Sequence, residues 1–149
     1  MKQLDIHSQM GGNQAILSNL HKKPFMMNGI YFGSLEGFLQ GLRVKNPEYQ
    51  KVVFQKHGID AKRIGYRFPI KNQTLYYLGV VFNRHSTYYV ELLERAFNEC
   101  IKQNEIFRNA LEETKDMELI HSIGKDDPND TILTNAEFLG LLMDLRGKV

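Results

Sequence analysis

Glu36 and Gln40 are the pair whose types and spacing point most directly to chemistry. They stand four residues apart in Ser34-Leu35-Glu36-Gly37-Phe38-Leu39-Gln40, so on a helix their side chains share one face. A carboxylate can orient or deprotonate an attacking water, or stabilise a developing cation. The same position has a purely structural use, because an acid in a helix first turn meets the helix dipole favourably, by roughly 0.3–1 kcal/mol. Residue chemistry alone leaves both uses open.

Other chemistries lack their signatures. There is no phosphate-cradling Walker loop, no two-histidine zinc helix and no serine in a Gly-x-Ser-x-Gly elbow. The five histidines (His7, His21, His57, His85, His121) show no ligand spacing, so no metal is expected, and no cofactor motif is present. Cys100 is the single cysteine. It excludes an internal disulfide, falls on the apolar side of an expected helix and reads as a buried structural thiol in a reducing cytoplasm.

The elements that must position Glu36 are legible from caps and periodicity. Ser34 caps a helix expected to run to about Val44, with Leu35, Phe38, Leu39 and Leu42 facing the core. Upstream, Ala15-Ile16-Leu17, Phe25-Met26-Met27 and Ile30-Tyr31-Phe32 read as short strands, with Asn28-Gly29 a hairpin turn. Pro47 opens a helix to about His57 that Gly58 ends, and Asp60 caps a short one stopping at Gly65. Leu75 to Phe82 is ambiguous between a strand and the start of a helix. Ser86 to Asn104 is the clearest long helix, with Tyr89, Leu92, Leu93, Ala96, Phe97, Cys100 and Ile101 as its apolar stripe. Helices follow over Glu105 to Glu113 and Glu137 to Arg146, separated by an irregular stretch from Gly124 to Thr134 rich in Asp, Asn and Pro. These patterns predict an α+β fold, a mostly helical single domain over residues 1–149 with a small β element near the N-terminus.

Composition limits the function classes. The 149 residues are 42% hydrophobic, a globular fraction. No apolar run reaches the roughly 20 residues of a membrane span, and the first residues lack the apolar core of a secretory signal, so a cytoplasmic, monomeric protein is expected. With 19 Lys and Arg against 17 Asp and Glu, the net charge of +2 does not describe a protein that binds nucleic acid by bulk charge. Local basic patches remain, at Lys22-Lys23 and along Lys56, Lys62, Arg63, Arg67 and Lys71.

Several segments, in order, resemble the NADAR (YbiA-like) family. They are Leu17-Ser18-Asn19-Leu20 with Lys23-Pro24-Phe25, then Gly29-Ile30-Tyr31, Ser34-Leu35-Glu36 and Gln40. Next come Ala61-Lys62-Arg63-Ile64-Gly65, Ala96-Phe97 with Gln103-Asn104, and Leu111-Glu112-Glu113-Thr114. The series closes with Leu119-Ile120, Asp126 and Leu139 to Arg146. The chain departs from the family in having no tryptophan. Asn129-Asp130 and the Arg84–Ser86 region occupy the places of the family's Trp residues, and Cys100-Ile101 that of a Lys-Phe.

The resemblance implies an N-glycosidase-type hydrolase that removes ADP-ribose from modified nucleic-acid bases, with guanine in DNA foremost, reversing a toxin's modification in a bacterial or phage-infected cytoplasm. It implies Glu36 as the catalytic carboxylate and Gln40 as its brace or sugar ligand. Asn19 would bind ribose or base, and Phe25, Gly29 and Tyr31 would line the pocket. Lys62 and Arg63 would meet the diphosphate, and Asp126 would sit on a loop closing over the substrate. Tyr66, Tyr76, Tyr77 or Tyr88 would replace the missing aromatic wall. Two alternatives stand beside this reading: an N-glycosidase acting on riboflavin-pathway intermediates, and a non-catalytic ADP-ribose-binding domain.

Overall fold

A computed structural model describes residues 1–149. The first half contains β1 (Lys2–Asp5), α1 (Gly12–Ile16), β2 (Phe25–Met27), β3 (Ile30–Phe32), α2 (Leu35–Gly41), α3 (Pro47–Phe54) and α4 (Gly58–Gly65). The second half contains β4 (Thr74–Tyr77), β5 (Val80–Asn83), α5 (Thr87–Gln103), α6 (Glu105–Glu113), β6 (Met117–Ile120) and α7 (Asn135–Arg146). The fold is α+β. None of its helices is long and apolar enough to cross a membrane.

The strands form three separate pairs rather than one small N-terminal sheet. β2 and β3 make the expected hairpin, with Asn28 and Gly29 at φ 54° and 73° in its turn. Successive positive φ values match the twist of the flanking strands, which is why Asn-Gly is favoured there. The ambiguous segment is a second hairpin, β4 with β5. Its turn places Leu78 at φ 48°, a conformation uncommon for a residue with a side chain. Gln50 holds it: its Oε1 accepts from Leu78 N at 3.0 Å, while its Nε2 donates to the Gly41 and Tyr76 carbonyls at 3.0 and 2.8 Å. The third pair joins β1 to β6 in parallel, Lys2 opposite Met117 and Asp5 opposite Ile120. No local pattern announces a pairing over that separation.

Three local expectations need correction. Ala15-Ile16-Leu17 is not a strand. Ala15 and Ile16 close α1, where the chain is helical from Gly12 and Asn13 Nδ2 donates to Glu113 at 2.9 Å; a three-residue apolar piece has no period to decide its type. Gly58 does not end α3, which stops at Phe54, but opens α4 at φ 61°, donating its N–H to the Leu20 carbonyl at 2.7 Å, so His57 holds the cap position and Asp60 lies in the first turn rather than capping it. α2 ends at Gly41 rather than near Val44, because Leu42, Arg43 and Val44 each bond three residues back, the tighter pattern common at helix ends.

The core lies where α2, α3, both hairpins and α5 meet. Phe25 stacks on Phe32 at 4.9 Å between centroids, and Phe32, Phe38, Phe54 and Tyr77 continue the aromatic cluster. α5 contributes the predicted stripe, all of it buried. α2 can press against the end of α3 because Gly37 has no Cβ: one there would stand 2.5 Å from the Lys56 carbonyl oxygen. That contact covers one side of α2 and leaves the side bearing Glu36 to face α4 and the loop after α1.

Candidate active site

Glu36 is positioned by its backbone first. Ser34 caps α2, accepting from Gly37 N and donating to the Lys56 carbonyl, both at 2.9 Å. The N–H of Glu36, which has no partner within the helix, donates to the Asn19 carbonyl at 2.9 Å. The loop after α1 is therefore tied to the first turn of α2.

That loop is held from below by Lys23, whose side chain is fully buried. Its ammonium donates to the carbonyls of Ile16 at 2.6 Å and Ser18 at 3.0 Å and lies 4.2 Å from the centre of the Phe107 ring. Burial lowers the Lys23 pKa to about 8, and the same burial pushes the neighbouring Cys100 thiol up to about 12. Cys100 Sγ contacts the Lys23 carbonyl at 3.7 Å, so the cysteine has the structural role expected of it.

The side chain of Glu36 is partly buried and meets Gln40 Nε2 at 2.7 Å. Burial raises its carboxyl above the ordinary range, opposed by the Gln40 hydrogen bond and by the charges of Lys62 and Arg43. Lys62, exposed on α4, makes no ion pair with it and acts through its charge alone. Gln40 itself is seated over Gly65, the last residue of α4, where any Cβ would collide with its amide oxygen. Arg43 lies seven residues after Glu36 and is partly buried. It donates through Nη1 to the Phe68 carbonyl at 3.3 Å and feels the charge of Glu36.

Three buried side-chain polar atoms in the whole chain lack a hydrogen-bond partner within the protein: Asn19 Oδ1, Gln40 Oε1 and Arg43 Nε. All three belong to residues tied to Glu36 by a hydrogen bond or by charge. Each such atom costs about 1–3 kcal/mol when left unmade, so their collection at one carboxylate is the mark of a site shaped for a polar ligand. Two acceptors, one donor and a carboxylate offer complementary partners to a polyhydroxylated, anionic molecule.

His121 shares 3.0 Å with Asn135 Oδ1, packs edge-on against Phe138, and is pushed down mainly by burial while feeling Lys62 and Asp5. The irregular stretch that follows is anchored at its end by Arg84. This buried guanidinium grips both carboxylate oxygens of Glu137 at 2.6 and 3.1 Å and donates to the Thr131 carbonyl at 3.0 Å. It also stands 5.1 Å from the Tyr89 ring. Glu137 completes a capping box with Thr134.

The candidate residues named from the sequence divide into two groups. Asn19, Glu36, Gln40 and Lys62 come together. Phe25 is 2% exposed and occupied in the core against Phe32. Tyr31 is 41% exposed on the hairpin, and Gly29 lies in the hairpin turn, where Asn28 accepts from Tyr77 Oη and Arg95. No hydrogen bond, ion pair or ring contact joins these three to Glu36. Arg63 is exposed on α4, and Asp126 is exposed on the irregular stretch with no side-chain hydrogen bond. Of the tyrosines, Tyr66 lies within electrostatic reach of Arg43, Tyr77 is buried in the core, and Tyr88 packs on Phe82 at 4.7 Å. Arg43 escaped the sequence reading, although its place two turns after Glu36 was a signal. A larger concavity of about 640 Å³ between the β2–β3 turn and α5 is lined by Glu91, Glu94, Arg95 and Glu99 among others and contains none of the Glu36 cluster.

Comparison with known proteins supplies relatives. The sequence model of the family described as bacteriophage protein GP30.3 matches residues 13–147. A 17.1 kDa protein of Enterobacteria phage T4, from the Gp30–rIII intergenic region, is 44% identical over 149 residues, spanning 98% of this chain and 98% of the phage protein. The NMR structure of the E. coli protein YbiA matches with a TM-score of 0.65 at 16% identity, over 99% of this chain and 86% of YbiA. That likeness shows the fold, and the YbiA-like α+β architecture expected from the sequence motifs is the one the chain adopts.

Proposed function

This chain belongs to the bacteriophage protein GP30.3 family, and we propose that it hydrolyses an N-glycosidic bond, releasing ADP-ribose from a modified nucleic-acid base, guanine in DNA foremost. The observation that carries the reading is that all three unpartnered buried polar atoms belong to residues tied to one carboxylate by a hydrogen bond or by charge. The YbiA-like fold supports it as analogy only.

The roles follow from the chemistry of the groups. Cleavage between ribose C1 and a base nitrogen passes through an oxocarbenium-like transition state. Glu36 stabilises that cation and takes a proton from the water attacking C1. The C1–N bond breaks as the C1–O bond forms, and the departing nitrogen takes up a proton. Gln40 Nε2 keeps the carboxylate oriented, while Gln40 Oε1 and Asn19 Oδ1 accept from ribose hydroxyls. Arg43 and Lys62 face the diphosphate, for which cationic donors are suited. In an infected cell the reaction would undo a toxin's modification of DNA.

The test is to incubate the protein with ADP-ribosylated single-stranded DNA and quantify released ADP-ribose by chromatography. Release that disappears in Glu36→Gln is expected. No release at stoichiometric enzyme sinks the reading. Turnover of phosphoribosyl-aminopyrimidines without turnover of DNA would move the activity to small N-glycosides. Tight ADP-ribose binding, equal in wild type and Glu36→Gln and with no turnover, would make the protein a reader.

A further inference from the structure

Arg43 has a second neighbourhood. Beyond the Glu36 cluster it lines a cavity of about 330 Å³ together with Lys45, Tyr49, Arg67, Lys71 and Tyr76. This volume is at the low end of the roughly 300–1,000 Å³ of sites that enclose a small ligand. Its lining holds four cations and no carboxylate, in a chain whose net charge is only +2. None of the four takes part in an ion pair. Glu48, on the same turn as Tyr49, is directed to Lys51 at 3.7 Å. Four like charges at one cleft repel one another; Glu36 acts on Arg43 from outside the groove, and Lys45, Arg67 and Lys71 have no carboxylate partner.

The cations are interleaved with aromatic rings. Tyr49 and Phe68 lie 5.6 Å apart between centroids, and Tyr49 is 38% exposed. Phe68 also supplies the carbonyl that holds Arg43, so the ring surface and the catalytic cluster share one residue. Cationic side chains beside the exposed ring of Tyr49, backed by the half-buried Phe68, are what a flexible polyanion carrying flat bases requires: phosphates meet the cations and an unpaired base stacks on the ring.

We propose that this groove, lined by Arg43, Lys45, Arg67 and Lys71, binds the single-stranded nucleic acid flanking the modified base and feeds that base to Glu36. The inference rests on the N-glycosidase reading only for what happens at Glu36; the groove itself is argued from its own residues. A single strand fits and a duplex does not, because stacking on Tyr49 needs bases free of their partners. The ADP-ribose diphosphate does not account for the groove, since Lys45, Arg67 and Lys71 lie beyond the Arg43 and Lys62 pair that would meet it.

The test is fluorescence anisotropy with a labelled, unmodified single-stranded oligonucleotide, over a salt series, on wild type, Tyr49→Leu and the triple variant Lys45→Ala, Arg67→Ala, Lys71→Ala. The exposed triple positions make a folded variant straightforward to confirm by circular dichroism. Loss of three phosphate contacts should weaken binding about tenfold or more and flatten the log–log salt slope by about 2, at roughly 0.7 per contact on a single strand. Tyr49→Leu should lose affinity with the slope kept. Binding of free ADP-ribose, read by calorimetry, should survive the triple substitution.

Four results overturn the proposal: no binding by wild type, unchanged affinity and slope in the triple variant, equally tight binding of a duplex, or loss of ADP-ribose binding in step with loss of DNA binding. Wild type that ignores DNA but sediments with anionic phospholipid vesicles would reassign the groove to a membrane surface. Because the probe is unmodified and the readout is binding, the outcome is separate from whether ADP-ribose is ever released.

Discussion

Glu36→Gln should cost activity and gain stability, and the combination is more diagnostic than either. The substitution keeps the shape of the side chain and an oxygen to accept from Gln40 Nε2, which stands 2.7 Å away. It removes the charge. A positioned general base contributes about 10²- to 10⁴-fold to rate, so release of ADP-ribose should fall by that factor, equivalent to about 3–5 kcal/mol of barrier. Stability moves the other way. Burial raises the Glu36 pKa, so the folded chain holds a proton that the unfolded chain has already released. Between the ordinary carboxylate value and the raised folded value, stability therefore falls as pH rises, and above the folded value the cost is complete. For a chain of 149 residues each kcal/mol of that cost moves Tm by about 2–4 °C. Thermal melts of both proteins from pH 3.5 to 8 should converge at the acid end and separate at pH 7 and above, with the variant melting higher. A variant that melts lower at pH 8, or that retains wild-type turnover, refutes the assignment of a buried catalytic carboxylate.

Three further outcomes follow from the contacts around it. Lys23→Met should make wild type gain on the variant by about 3 kcal/mol as pH rises from 7 to 11, since the folded pKa near 8 lies below the ordinary 10.5 and the proton lost in that window is one burial disfavours; parallel denaturant titrations measure the difference, and a flat one refutes it. Arg84→Lys should keep the charge but lose the two-pronged grip on Glu137 and the bond to the Thr131 carbonyl, destabilising the fold by about 1.5–3 kcal/mol, with the loss read as a lowered Tm. Gly65→Ala should displace the Gln40 amide and remove a charge-assisted hydrogen bond of about 1.5–3 kcal/mol, lowering kcat more than it raises KM; unchanged kinetics would show that Gln40 does not orient Glu36.

Local sequence carried the elements well wherever one side chain or one turn decides them. Ser34 and Ser86 cap their helices through their own oxygens, Asn28-Gly29 makes its hairpin, and the stripe from Tyr89 to Ile101 is buried as its period requires. Glu36 and Gln40 share a helix face and a hydrogen bond for the same reason. Expectations failed where the local signal was too short to have a period, as at Ala15-Ile16, or where a glycine could serve either end of a helix, as at Gly58.

The sequence by itself thus determined which residues could do chemistry, because an acid four residues from an amide on a capped helix is a local fact. Tertiary structure decided which of them meet. Asn19 and Lys62 are brought to Glu36 from separate segments, while Phe25 was drawn into the core by the greater gain from burying its ring beside Phe32. The electrostatics were decided there too. A carboxylate is raised only by what surrounds it, and Asn19 Oδ1, Gln40 Oε1 and Arg43 Nε are left without protein partners only once α2, α4 and the loop after α1 have closed around them. Desolvation depends on the assembled surroundings, so no spacing along the chain encodes it.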